Sequence, residues 1–324
     1  MKVRFATDVL SHESSYRVLD RIVDLFVDGR HRWDIEDIDA IADSFWIKSD
    51  SSGRSSKANL EVLEKCYTKT AYYPQHMHSK LLIVTNNPNG ASGLPPHDAR
   101  RCLEAPAFVL VENSESDGTY FLDAMIYCFF RLQLQDAQTE AWWHYEHLGG
   151  FGEIEKRLDQ LLARTVGSPR IFVVADSDRL YPGHVSPTET KVRETCEGHG
   201  IPFKILNKRK IENYIPPSLL VYVNRQATLR AFKKLTQEQR DFYEMKDGFE
   251  RLDNNEAKVP SPQVTLYSDV RKHAYRDLCG GFGHNVCELF KTKRLFLRSE
   301  DIKRICPNDP NEIIVILDEI EKIL

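Results

Sequence analysis

The run Val173-Val174-Ala175-Asp176-Ser177-Asp178 places two carboxylates one residue apart at the end of a short apolar stretch. In an extended chain, residues i and i+2 project to the same side, so both acids could meet one cation. If that stretch is a buried parallel strand, the pair sits on the sheet edge where α/β proteins hold ligands. Upstream, Ala107-Phe108-Val109-Leu110-Val111-Glu112 is a second apolar stretch with an acidic end. Downstream come Lys208-Arg209-Lys210 and then Ile211-Glu212-Asn213-Tyr214. An acid, an Asp-x-Asp pair and a lysine, each at a strand end, would suit phosphodiester chemistry with magnesium. That ion takes one or two carboxylates and completes its shell with water and substrate phosphate.

Each residue type has a task in such chemistry and a plainer alternative. Glu112 could ligate a metal or pass a proton to a leaving oxygen. Glu115 and Asp117 lie in the polar turn that follows, and either could serve a second metal; Asp117 is also in place for an ordinary helix N-cap. Lys208 and Lys210 could neutralise charge on a pentacovalent phosphate, and Arg209 could face nucleic acid. A solvated basic face is the ordinary reading of such a triplet. Glu212 suits the orientation of its neighbours. Gly149-Gly150-Phe151-Gly152 could bring backbone N–H groups to a phosphate or simply punctuate a turn. Lys291, Lys293 and Arg294, with Arg298, read as phosphate-backbone contacts or as a solubilising loop.

The elements that must position these residues show in the periodicity. From residue 106 onward, strands 107–112, 142–145, 171–175 and 203–206 alternate with helices. Those helices carry Phe121, Leu122, Met125, Ile126 and Phe129, then Ile154, Leu158, Leu161 and Leu162, then residues near 188–199. Repeated β-α-β predicts a mostly parallel sheet with helices on both faces. Residues 1–105 read as an α+β region. Val18, Leu19, Ile22, Val23 and Phe26 stripe a helix that stops at Gly29, and Asp34 is placed to cap a second carrying Ile35, Ile38, Ile41 and Phe45. A helix around 60–66 and a strand Leu81–Val84 follow, with a linker expected over 86–96 and a polar segment over 48–57. Residues 221–324 read as mainly helical. They include a capping box at Thr236-Gln237-Glu238-Gln239, a loop over 253–263 and a final helix over 313–324.

Bulk properties narrow the classes. With 324 residues, 41% hydrophobic and 28% charged, the chain has the make-up of a folded, soluble protein. No stretch nears the roughly 18 apolar residues of a membrane span, and Met1-Lys2-Val3-Arg4-Phe5 does not lead into a signal core. Seven scattered cysteines without a CxxC pair point to free thiols in a reducing, cytoplasmic setting. The net charge of −4 means that any grip on a polyanion must come from local basic patches and metal.

These motifs resemble the TOPRIM domain shared by topoisomerases, bacterial primases and OLD-family nucleases. The match rests on Leu110-Val111-Glu112, Gly149-Gly150, Val174-Ala175-Asp176-Ser177-Asp178 and Lys208-Arg209-Lys210-Ile211-Glu212-Asn213-Tyr214, the last similar to the OLD-type subclass. Phe242-Tyr243-Glu244-Met245-Lys246-Asp247-Gly248-Phe249 and Gly281-Phe282-Gly283 also look like the tails of stand-alone TOPRIM proteins from anti-phage loci. The resemblance implies a Rossmann-like catalytic domain over 106–220. It further implies a nuclease of DNA or RNA, tRNA included, in which Glu112, Asp176 and Asp178 hold one or two Mg²⁺ or Mn²⁺ ions and Lys210 or Lys208 stabilises the transition state. One departure bears on a second metal. The family's motif has Gly after the Glu and an acid four residues on, whereas here Asn113 follows and the acid stands at Asp117 or Glu115. Relatives of this class often act beside an ATPase. No GxxxxGK[ST] occurs here, so an ATPase would be a separate subunit, and further copies of the chain are another expected partner. Two other readings compete. One is a TOPRIM-like interaction subunit of a defence complex. The other is an Asp-x-Asp phosphatase with Asp176 as nucleophile, although Arg179 stands where that chemistry favours Thr or Val.

Overall fold

The computed structural model describes residues 1–49, 55–71, 80–88, 93–252 and 257–324. The chain is a mixed α/β protein with parallel sheets flanked by helices. In the N-terminal unit, β1 (Lys2–Phe5), β2 (Arg32–Trp33), β3 (Leu81–Val84) and β4 (Gly93–Leu94) form a parallel sheet in the order β2-β1-β3-β4. This region is therefore α/β in character rather than α+β. The opening strand was passed over because only alternate residues of its four are buried, too short a signal to read as a pattern. Part of the expected linker is structured as well: Thr85 N–H donates to the Leu94 carbonyl and fixes β4 beside β3. Residues 50–54 of the expected polar segment, and 89–92 of the linker, lie outside the described residues.

The helix Tyr16–Val27 buries Val18, Leu19, Ile22, Val23 and Phe26 on one stripe, as the periodicity requires. The helix expected over 35–45 is instead two short ones, Ile38–Ala42 capped by Asp37 and Phe45–Lys48 capped by Ser44. Asp34 is not a cap, because its carboxylate accepts from Arg4 Nε at 2.9 Å. A core running from Met1 to Leu103, with Phe5, Phe26, Trp33 and Trp46 in mutual ring contact, holds this unit together.

The central sheet positions the candidate site. It comprises β5 (Ala107–Val111), β6 (Trp143–His147), β7 (Ile171–Ala175) and β8 (Phe203–Ile205), all parallel, in the order β6-β5-β7-β8. Every residue of β7 is buried, as expected of a parallel strand covered on both faces. On one face, Leu110, Ile171, Val173 and Ala175 pack under the helices Ile154–Leu162 and Pro187–His199. On the other, Val109, Val111, Phe172 and Val174 join one continuous core with Phe121 and Met125 and with Ile313, Ile316, Leu317 and Ile320 of the helix Glu312–Ile323. Residues 221–324 thus complete the core of the central sheet and are not cored separately. They are mainly helical, with one small antiparallel hairpin, β9 (Glu250–Arg251) and β10 (Ala257–Lys258). That hairpin occupies part of the expected loop, whose residues 253–256 lie outside the described ones.

Strand order decides where a ligand can enter. From β5 the chain passes to β6 on one side, then returns to β7 on the other. The connections therefore diverge between the carboxyl ends of β5 and β7, which is where an open parallel sheet leaves a crevice. Among the described residues, no helix is long and apolar enough to cross a membrane. All seven cysteines are buried.

Candidate functional site

Glu112 leaves the end of β5 and Asp176 leaves the end of β7, so the two flank that crevice. The Asp-x-Asp pair does not continue the strand. Asp178 has a left-handed backbone, φ 50°, which a residue with a Cβ adopts only when its surroundings enforce it. Here Asp178 N–H donates to the Arg209 carbonyl at 2.9 Å, and Ser177 Oγ donates to the Lys208 carbonyl at 2.7 Å. Thr188 Oγ1 donates to Asp178 Oδ2 at 2.9 Å, and Ser186 Oγ donates to the Ser177 carbonyl at 2.5 Å. Arg179 closes the loop through two 2.7 Å bonds to the buried Glu189 carboxylate. Its guanidinium holds that carboxyl below the usual range. A tight, pinned turn thus brings the two aspartates together, in place of the strand alternation expected.

On the β5 side, Asn113 is the cap: its Oδ1 accepts from the Glu115 and Ser116 N–H groups at 2.8 and 3.1 Å. Asp117 reaches back and accepts from Asn113 N–H at 2.9 Å. The segment Ser114–Leu122 that follows is a π-helix. Gly118 lies within it, where an added Cβ would come 2.6 Å from the Tyr145 ring, so only glycine lets this turn lie against β6.

The electrostatics identify which acids share a field. Burial pushes the Asp176 carboxyl well above its usual range, and Asp117, Glu212 and Asp178 push it further, with Lys210 opposing. Glu112 is raised by burial, then by Asp117 and Asp178, against Lys210 and Lys246. Asp117 is raised by burial; its bonds from Ser116 and Asn113 oppose the shift, and Glu212 adds to it. The sequence-predicted residues brought together are therefore Glu112, Asp117, Asp176, Asp178, Lys210 and Glu212. Asp176 also accepts from Ile211 N–H at 3.0 Å, which ties the pair to the turn after β8. Lys210 Nζ stands 3.9 Å from Asp178 and 3.8 Å from Glu244, partly exposed and in no tight bond.

Other candidates are placed elsewhere. Glu115 is exposed and accepts from the Tyr120 hydroxyl, turned away from the shared field. Lys208 is buried, and its ammonium is consumed by Asp241 at 2.5 Å and the Ile305 carbonyl at 2.8 Å; an amine in that apolar setting needs both partners. Arg209 is largely buried and paired with Glu244 at 2.7 Å, so it presents no free cation to nucleic acid. Lys291, Lys293 and Arg294 lie on a neighbouring surface, over the rings of Tyr120, Tyr222 and Tyr127. The residues Glu212, Asn213 and Tyr214 do not open an α-helix. They form a short 3₁₀ turn, Ile211–Tyr214, in which each side chain has its own tether. Glu212 pairs with Lys246 at 2.8 Å, Asn213 donates to the Arg240 and Tyr243 carbonyls, and the Tyr214 hydroxyl donates to Glu312 at 2.7 Å.

Lys246 is the residue that sequence reasoning missed. It lies outside the β-α-β rhythm, yet its amine pairs with the buried Glu212 and acts on Glu112, Asp117 and Asp176. Burial alone would lower its pKa, but Glu212 more than compensates and the net shift is upward. Its backbone is clamped: Phe282 N–H donates to the Met245 carbonyl at 2.7 Å and Gly283 N–H to the Lys246 carbonyl at 2.9 Å. Gly281, φ +47°, comes so close that a Cβ would sit 2.5 Å from the Lys246 carbonyl oxygen. Lys246 and its clamp fall within the Phe242–Phe249 and Gly281-Phe282-Gly283 motifs.

The donor set suits a hard divalent cation. Five carboxylates, Glu112, Asp117, Asp176, Asp178 and Glu212, meet only two ammonium groups, Lys210 and Lys246, an excess of negative charge that a cation would relieve. Among the described residues no group of three or more His, Cys, Asp or Glu side chains is arranged to hold a metal ion. Mg²⁺ usually takes only one or two carboxylates and completes its shell with water and substrate oxygens. Compared with family models, curated proteins and solved structures, the chain gives no match.

Proposed function

We propose that the chain is a Mg²⁺- or Mn²⁺-dependent nuclease of the TOPRIM type, resembling the OLD class, and that it serves as an effector in anti-phage defence. The observation that carries this reading is the gathering of Glu112, Asp117, Asp176 and Asp178, with Lys210 beside them, at the crevice between β5 and β7. The first departure from the family's motif has a physical account: Asn113 has φ −130°, a value that demands no glycine, and its side chain caps the following turn. Asp117 comes one residue later than the family's acid, in the first turn after that cap, and its carboxylate acts on Asp176.

In this reading, Glu112, Asp176 and Asp178 hold the ion, with Asp117 available to a second. A bound divalent ion would polarise the phosphate and lower the pKa of an attacking water. Lys210, loosely held between Asp178 and Glu244, can swing to a phosphate oxygen as negative charge builds there. Glu212 and Lys246 keep the acids in place. A separate ATPase subunit would add to the nucleic-acid grip of a chain whose net charge is −4.

The test is cleavage of plasmid DNA and of total tRNA with Mn²⁺ or Mg²⁺, beside Asp176→Ala. Cleavage that the substitution abolishes supports the reading and names the substrate class. Metal-induced stabilisation without cleavage points to a missing activating partner. Neither cleavage nor stabilisation by metal overturns the reading in favour of an interaction subunit.

A further inference from the structure

Beside the acidic crevice lies a surface that the folding of the chain does not account for. Leu295, Phe296, Tyr222 and Val221 are exposed by 76%, 58%, 48% and 43%. A group of large apolar side chains left in water usually marks a contact surface. The Tyr222 and Phe296 rings lie 5.7 Å apart with 32° between their planes, a tilted pair open to solvent. Cations are interleaved with these and neighbouring rings. Lys293 Nζ lies 4.6 Å from the Tyr222 centroid, Arg294 Cζ 5.0 Å from that of Tyr127, and Lys291 Nζ 5.0 Å from that of Tyr120. Among the described residues, none of Lys291, Lys293, Arg294 and Arg298 has a carboxylate within ion-pairing distance.

This surface adjoins the segment that carries Asp117. Tyr120, under Lys291, belongs to the same π-helical segment as Asp117, and the helix Glu288–Thr292 that carries Lys291 packs on that segment. A strand whose phosphodiester lies at Asp176 could therefore extend past Lys291 and Arg294 to the Tyr222–Phe296 pair. Unpaired cations beside exposed aromatic rings are the two components that hold single strands: the cations follow phosphates, and the rings stack on bases. A duplex keeps its base faces covered and would leave the apolar rings unused.

We infer that Tyr222 and Phe296, with Lys291, Lys293 and Arg294, form a stacking platform that holds a single-stranded stretch of the nucleic acid cut at the crevice. Its placement along the substrate rests on the nuclease reading; its affinity for a single strand does not. The test is fluorescence anisotropy in EDTA with a labelled homopolymer single strand and a blunt duplex of equal length. The single strand binds more tightly. The double substitution Tyr222→Ala/Phe296→Ala, at exposed positions and with an unchanged melting temperature, weakens it on the order of tenfold or more. Lys293→Ala lowers the slope of log K against log salt by about 0.7. Equal affinity for duplex, or binding untouched by the double substitution, overturns the proposal and makes the patch a protein-docking face. Hydrolysis of bis(p-nitrophenyl) phosphate by the unaltered chain with Mn²⁺, run in parallel, judges the nuclease reading by itself. Its failure, together with no stabilisation by Mn²⁺, removes that reading, and the anisotropy still decides the platform.

Discussion

Asp176→Asn separates the charge of the candidate site from its shape. Asparagine keeps an oxygen that can accept from Ile211 N–H, so the tether at 3.0 Å survives while the charge goes. In the metal-free protein, Asp176 meets like charges on Asp117, Glu212 and Asp178 and one opposite charge on Lys210. At an effective dielectric of about 20, one uncompensated pair at about 6 Å costs ~3 kcal/mol. Partial exposure to water reduces this, so removing the Asp176 charge stabilises the metal-free fold by about 1–3 kcal/mol, or about 2–8 °C in Tm. A carboxyl raised in the folded state binds more protons folded than unfolded. Its contribution therefore favours the fold below the ordinary value of 3.8 and is lost as pH rises through the raised value. Other carboxylates, such as Glu189, act with the opposite sign, so the informative quantity is the Tm of the variant minus that of the parent. In EDTA this difference is near zero in acid and grows positive toward pH 8. Saturating Mn²⁺ stabilises the parent, by about 2.7 kcal/mol at a hundredfold excess over Kd, and stabilises the variant far less. A variant less stable than its parent at pH 8 in EDTA, with an intact response to Mn²⁺, would refute the reasoning.

Three further outcomes follow from the same geometry. Lys246→Met strands Glu212, whose side chain is 2% exposed, and costs about 3–5 kcal/mol in urea unfolding. Adding Glu212→Gln recovers much of that, whereas simple additivity would argue against the pair. Lys208→Ala costs about 3 kcal/mol because Asp241 loses its buried partner, while Lys210→Ala changes stability by less than about 1 kcal/mol and lowers cleavage. Urea melts and nuclease assays on both variants check this, and a reversed pattern would exchange the roles of the two lysines. Gly281→Ala, at φ +47° and with its Cβ 2.5 Å from the Lys246 carbonyl oxygen, costs more than about 1 kcal/mol and lowers Tm. An unchanged melt would show that the clamp on Lys246 can yield.

What the sequence made legible follows from what kind of signal each feature leaves. In the central sheet, β5 and β7 could be read because burial makes them continuous apolar runs, as in Ile171–Ala175, whereas β6 and β8 are only partly buried and show through the β-α-β spacing. Glu112, Asp176 and Asp178 stand out in the sequence because strand ends are where such runs stop. The β1 and β4 strands were missed because each is short and only partly buried. Lys208 was misread because position after β8 says nothing about which way a side chain turns. Its neighbour Lys210 faces the acids, whereas Lys208 faces Asp241. Lys246 reaches the site through a contact between distant segments, and no local periodicity records such a contact. The pairing of Asp176 with Asp178 was expected for the wrong reason, since a left-handed turn rather than strand geometry brings them together.

The tethers of Glu212 and Tyr214 also set an order of events during synthesis. A ribosome delivers Glu112, Asp176, Asp178 and Lys210 well before Lys246, and Glu312 later still. Until Lys246 emerges, Glu212 has no counter-charge, and until Glu312 emerges, neither the Tyr214 hydroxyl nor Asn207 N–H has its acceptor. The helix Glu312–Ile323 also covers one face of the central sheet, so that face stays open until this helix is made. A nascent chain therefore carries the acids of the candidate site in an unfinished frame, and assembly of that site waits for Lys246 and for the helix Glu312–Ile323.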